Sequence, residues 1–184
     1  MKSLLWLTLF GLLSLASVGR AAVLSPLGLD ELAASSALVV RGTVVESRTD
    51  RDPADGLIFT EHTVLVTESL DGRGEAQRTV LVRTPGGEYQ GLGQLVPGGP
   101  VLKKGQEVVL FLAAVPQVPG QVFTPRGGVQ GVFRVQAKEG GVRLHRDFGA
   151  VAFAGSKTAV PSRELGLDEV LQAVRRAAAT RKAR

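Results

Sequence analysis

Side chains able to do acid–base, metal or nucleophilic chemistry are few and scattered in this chain. It has two histidines, His62 and His145, and no cysteine. The histidines stand too far apart for a His-x-x-x-His pair. A metal site would need both to converge with carboxylates such as Glu46 or Glu68, and zinc held by thiolates is excluded. The plainer reading puts both histidines on the surface or on strand faces, so no metal and no cofactor is expected. Ser156 follows Gly155, but Ala154 and Thr158 stand where a Gly-x-Ser-x-Gly elbow needs glycines. No serine has a histidine at suggestive spacing, and no carboxylate pair stands out among the 17 acidic residues. No catalytic residue is assigned, and the expectation is a protein that is not an enzyme.

The segment from Pro85 to Gly105 is the better candidate for function. It is rich in glycine and proline, has little periodicity, and is long for a loop, a length associated with function or flexibility. Gly91-Leu92-Gly93 sits within it, followed by Pro97-Gly98-Gly99-Pro100. A dinucleotide fingerprint needs strand, glycine loop and helix in that order, and here proline and another strand follow. A binding loop carried on a rigid scaffold is the functional alternative to a plain turn. Tyr89, the one tyrosine of the chain, can anchor a partner there. The candidate binding residues are therefore Pro85, Gly86, Gly87, Glu88, Tyr89, Gly91 and Gly93.

The elements that must carry this segment are mostly strands. Leu38 to Thr49 alternates, with Val40, Gly42 and Val44 on one side and Val39, Arg41, Thr43 and Val45 on the other. Asp50 to Gly56 is a polar turn. Ile58 to Leu70 is a second long strand, with His62, Val64 and Val66 on one face and Phe59, Thr63 and Leu65 on the other. Asp71-Gly72-Arg73-Gly74 closes a hairpin-like turn. Arg78 to Thr84, the strongly apolar Glu107 to Val115, Gln121 to Thr124, Val129 to Val135 and Val142 to Asp147 continue as strands. Short helices bracket them: Leu27 to Ala34, with Asp30 and Glu31 in the first turn, and Leu167 to about Ala179, with Leu167, Val170, Leu171 and Val174 on one face. A set of short strands with a helix at each end predicts a small barrel or sandwich.

The first 21 residues have the form of a secretory signal peptide: Lys2, an apolar run from Leu4 to Leu15, and small residues at Gly19 and Ala21 around Arg20. The run is about a dozen residues, short of the ~20 that cross a bilayer. A signal anchor, or cleavage a few residues away beside Ser17-Val18-Gly19, is the alternative. Cleavage after Ala21 leaves 163 of the 184 residues, enough for one domain with a sizeable core. The mature chain loses the lone tryptophan, Trp6, so valine, leucine and alanine must build that core. Losing Lys2 and Arg20 takes the formal charge from +5 to +3. Arg175, Arg176, Arg181, Lys182 and Arg184 carry +5, which leaves residues 22–174 at about −2. A near-neutral body without tryptophan does not suit a nucleic-acid groove. The expected organisation is a signal peptide over 1–21, one β-domain over 22–176, and a basic tail over 177–184 that can meet an anionic surface.

Three stretches carry a resemblance: Leu38-Val39-Val40-Arg41-Gly42-Thr43-Val44-Val45, Thr63 to Gly72, and Gly105-Gln106-Glu107-Val108-Val109-Leu110-Phe111-Leu112. Their pattern resembles netrin-like modules and tissue inhibitors of metalloproteinases, which are OB-type barrels. It is also similar to a group of uncharacterised secreted bacterial proteins with a Thr-Pro-Gly-Gly stretch after the third strand, here Thr84 to Gly87. The resemblance covers roughly Glu31 to Gln136. It implies an OB-like barrel of five to seven strands and a secreted binding role. The inhibitors chelate a protease zinc through an N-terminal cysteine held by disulfides; this chain would begin near Ala22 and has no cysteine. An OB barrel usually sets a helix between strands three and four, where this chain has Pro85 to Gly105. The expectation is an exported, periplasmic or extracellular, non-enzymatic module that binds a protein, with a protease as the sharpest version of that reading. Its working surface would be the Pro85 to Gly99 loop with the N-terminus. An envelope-associated structural protein held by its basic tail, or an enzyme of unrecognised type using carboxylates or His62, is the alternative.

Overall fold

The computed structural model describes residues 22–182, apart from 74–75, 77, 117, 119–120, 139–140, 150, 155–160 and 162. The expected signal peptide lies outside the described residues, as do Gly74, Gly155, Ser156 and Thr158. In chain order the described elements begin with β1 (Ala22–Leu24), α1 (Leu29–Ser35), β2 (Leu38–Arg51), β3 (Ile58–Ser69) and β4 (Thr79–Pro85). Then come β5 (Gly87–Tyr89), β6 (Leu92–Gln94), β7 (Glu107–Ala114) and β8 (Val122–Pro125). A 3-10 turn, η1 (Gly128–Gly131), leads to β9 (Val132–Lys138), β10 (Gly141–His145), β11 (Val151–Phe153), β12 (Glu164–Gly166) and α2 (Leu167–Lys182).

Five strands close a mixed barrel in the order β2-β3-β4-β8-β7. All its pairings are antiparallel except β4 with β8. That connectivity is OB-like, as expected. Strand β7 divides its outer edge: Leu112 to Ala114 pair with β8, while Val108 to Leu110 pair with β9. From there β10 and β12 extend the sheet away from the barrel.

The strand alternation explains two cores. Val40, Val44, Val64, Val66, Val82, Val108, Leu110 and Leu112 fill the barrel. On the outer face of β2, β7, β9 and β10, Val39, Val109, Phe111, Phe133 and Leu144 pack against Leu32, Ala33, Val170, Ala173, Val174 and Ala177 of the two helices. Strand β7 is buried on both faces, which is why its sequence is continuously apolar rather than alternating. Helix α2 starts at Leu167, and its third residue, Glu169, accepts the Gly166 N–H at 2.7 Å on its carboxylate, as in a capping box. It runs through residue 177 to Lys182 without a break. Arg176 pairs with Asp30 at 2.8 Å and Arg181 donates to the Ala33 carbonyl at 3.3 Å, so two of the basic residues tie α2 to α1.

Three expectations need correction. Pro85 to Gly105 is not free of secondary structure: it contains the antiparallel hairpin β5–β6. Its three-residue strands are too short to show a period. Val129 to Val135 is not one strand; η1 takes its first three residues as the chain swings from β8 onto β9. Strand β10 stops at His145 and does not reach Asp147.

Candidate functional site

All seven candidate binding residues sit at the end of β4 or on the β5–β6 hairpin, with Gly87, Glu88 and Tyr89 facing Gln94, Gly93 and Leu92 across the ladder. The turn between the strands has positive φ at Gln90 (51°) and Gly91 (78°), as a two-residue type I′ hairpin turn requires. At the root, Gly86 (φ 89°) and Gly87 (φ 135°) fold the hairpin back over the barrel mouth. A Cβ at Gly87 would collide with Thr60 Oγ1 and lie 2.8 Å from Thr49 Cγ2, so only glycine fits. Three hydrogen bonds pin this root: the Gly86 N–H to the Ile58 carbonyl (2.8 Å), the Thr60 hydroxyl to the Gly86 carbonyl (2.8 Å), and the Ile58 N–H to Gln94 Oε1 (2.9 Å). Tyr89 is half-buried, and its hydroxyl accepts from Gln90 Nε2 at 3.3 Å; Glu88, Gly91 and Gly93 are exposed.

Under the hairpin the barrel interior turns polar, and a β-bulge is the cause. The β2–β3 register shifts between Val44 and Glu46, so one residue is skipped and the faces exchange. Unbroken alternation from Val40, Gly42 and Val44 would bring Glu46 and Arg48 inside. The bulge instead turns Thr49, half-buried, and Ser47, which stays exposed, to the side of Thr60 and His62. Ser47 Oγ lies 2.7 Å from His62 Nδ1, and His62 Nε2 lies 3.0 Å from Thr84 Oγ1. Burial pushes the His62 pKa down to about 4, so its ring is neutral at pH 7. The Ser47–His62 contact is a cross-strand pairing, invisible as sequence spacing. Both ring nitrogens are occupied, and a base this weak is poorly matched to activating a serine near neutral pH. The contact is best read as satisfied polar packing.

The postulated metal ligands are not brought together. His62 lies on β3 and His145 on β10, with β2, β7 and β9 between them, while Glu46 and Glu68 are exposed. His145 is 3.9 Å from Glu164, whose carboxyl is held below its usual range by the hydrogen bond and charge of Lys138. Among the described residues no group of three or more potential ligands forms.

Two clefts open near the candidate segment. One, of about 250 Å³, lies between residues 95–101 and a wall made by Val129, Val132, Arg134 and Asp147, with Phe148 buried beside them. Leu95 is 85% exposed and Val101 60% exposed at its rim. Arg134 and Asp147 face each other at 3.5 Å. The other, of about 360 Å³, lies at the tip of the β2–β3 ribbon between Asp52, Asp55, Leu57, Phe59, Arg83 and Pro85. Arg83 is occupied there: it stacks on Phe59 at 3.9 Å and pairs with Glu61 at 2.9 Å.

The N-terminal strand meets the same segment. A Cβ built at Gly98 would lie 3.5 Å from Leu24 Cδ1 and 3.6 Å from Ala22 Cβ. Strand β1 pairs in parallel with β11. The buried amide of Gln130 accepts the Leu27 N–H at 2.7 Å and donates to the Ser25 carbonyl at 3.0 Å. The Gln130 side chain thus ties the link between β1 and α1 to η1 by two hydrogen bonds. Sequence reasoning held Leu95 within the Pro85 to Gly99 surface without singling it out, and it missed Val101, Arg134 and Phe148. Isolated apolar residues in a Gly/Pro-rich stretch were the one signal for Leu95 and Val101; Arg134 and Phe148 join only through the fold. No protein-family model matches this chain, and a search of the curated proteins finds no match either.

Proposed function

We propose that this chain is an exported, non-enzymatic binding module that holds part of another periplasmic or extracellular protein against the 92–101 segment and its cleft. The observation that carries the reading is the apolar cleft with Leu95 and Val101 exposed at its rim, on a segment anchored to a closed barrel. Large apolar side chains left this exposed beside a concavity characterise interaction sites. A fixed scaffold lowers the ordering cost of binding. Export rests on the signal-like first 21 residues. A protease as the partner is the narrower form of the reading, and it rests on the resemblance to netrin-like modules alone.

Affinity capture from the native secretome, with the mature chain as bait and Leu95→Asp/Val101→Asp as the paired control, tests this. A stoichiometric partner retained by the natural chain and lost by the variant is the expected result. No stoichiometric partner, or equal retention by both baits, would sink the reading.

A further inference from the structure

We propose that the cleft beside Phe148 receives the C-terminal end of a partner polypeptide, its last apolar side chain between the proline and valine walls and its free carboxylate on Arg134. This deepens the binding-module reading and rests on it.

Size and charge point the same way. At about 250 Å³ the cleft is smaller than the usual small-molecule pocket, so it suits the end of a chain better than a long extended stretch. Pro97, Pro100, Val129 and Val132 make its walls apolar. An apolar side chain alone would leave the electrostatics of the site unused. Arg134 lines the cleft with its side chain 37% exposed, so it is reachable from solvent. Its contact with Asp147, at 3.5 Å, is longer than a tight charge-assisted hydrogen bond and leaves most of its donor fork available. Two more guanidinium groups lie against the Phe148 ring: Arg146 at 5.3 Å from its centre and Arg163 at 5.5 Å. Arg146 is buried, and burial lowers its pKa only to about 10, so it stays charged at neutral pH. Arg146 is satisfied inside the protein, with the Gln130 carbonyl among its partners, so among the described residues the cations beside Phe148 that solvent reaches are Arg134, which lines the cleft, and Arg163, against one lining carboxylate, Asp147. That balance complements an incoming anion. A guanidinium presents a donor fork that pairs with a carboxylate through two parallel hydrogen bonds, which a terminal carboxylate beside an apolar recess can accept.

The probe is N-acetyl-Leu-Phe with a free C-terminus, set against the same dipeptide as its C-terminal amide. Methyl NMR shifts of Val101, Val129 and Val132 report cleft occupancy in the mature chain. The acid is expected to bind about tenfold tighter than the amide, the scale of one charge-assisted contact. In Arg134→Gln that preference vanishes while both peptides still shift the methyls. In Arg134→Lys, which keeps charge and loses the fork, an intermediate preference remains. Equal affinity of acid and amide for the natural chain overturns the carboxylate assignment, as does a preference that survives Arg134→Gln or the absence of methyl shifts with either peptide. The secretome capture is read separately. A partner lost with Leu95→Asp/Val101→Asp, in the face of equal peptide affinities, leaves the binding-module reading standing and removes only this inference.

Discussion

The two ends of the β2–β3 ribbon use the same strands to opposite effect. Beneath the helices, β2 is buried on both sides, with Val40 in the barrel and Val39 against the helical layer. Past the bulge at Val44/Glu46, the inward residues are Thr49, Thr60, His62 and, from β4, Thr84, roofed by Gly86 and Gly87, with the exposed Ser47 bonded to His62. Among the described residues every buried side-chain nitrogen or oxygen has a hydrogen-bond partner, so the polar end is satisfied rather than strained. The comparison shows how one skipped residue converts a barrel interior from an apolar core to a hydrogen-bonded floor. The apolar end supplies stability through burial. The polar end gains less from burial, and there the chain carries an irregular glycine-rooted hairpin.

The comparison breaks most visibly at the apolar end. Phe111, fully buried and tilted against Phe133 with ring centres 5.5 Å apart, joins the barrel to the helical layer. Phe111→Ala should cost about 3–5 kcal/mol in urea denaturation. A loss below about 1 kcal/mol would mean that the outer core is not a unit.

The next effect is pH-dependent and belongs to the polar end. With a folded pKa near 4 and an ordinary value of 6.5, His62 stays neutral in the native state while it protonates in the unfolded one. Stability from this group is therefore complete above pH 6.5 and declines as pH falls toward 4, by at most about 3 kcal/mol. Denaturation at pH 7.5 and pH 4.5 should show a larger drop for the natural chain than for His62→Gln. Identical drops would remove His62 from the account.

The smallest effect sharpens the contrast between core and hairpin. Gly87→Ala meets Thr60 and an unfavourable φ, at a cost of roughly 1–3 kcal/mol. The loss should appear in hydrogen exchange as faster opening of the Gly86 amide and the β5–β6 ladder, with the amides of β7 unchanged. Uniform acceleration across both would show that hairpin and barrel open together.

Much of the barrel was legible because its strands obey simple periods. Val40, Gly42 and Val44 alternate, and His62, Val64 and Val66 share an inner face as their spacing predicts. Val170 and Val174 recur at helical spacing and are buried. The site was less legible. Hairpin β5–β6 has no Asn-Gly or Asp-Gly turn and only three-residue strands, so glycine content drew attention to the region without revealing its form. Arg134 and Phe148 are 39 and 53 positions beyond Leu95 in the numbering, and no local pattern links them to it.

By itself the sequence determined the class of fold, the two terminal helices and a core of valine and leucine, because burial and backbone period act over neighbouring residues. It also determined what chemistry thiolates could not supply. Tertiary structure alone decided that β7 would be buried on both faces, that a bulge would turn Glu46 outward and Ser47 toward His62, and that Gln130 would clamp the segment between β1 and α1. It also decided that Leu95, Arg134 and Phe148 would share one cleft. These depend on strand register and on which elements close the barrel, quantities set by contacts between residues far apart in the chain.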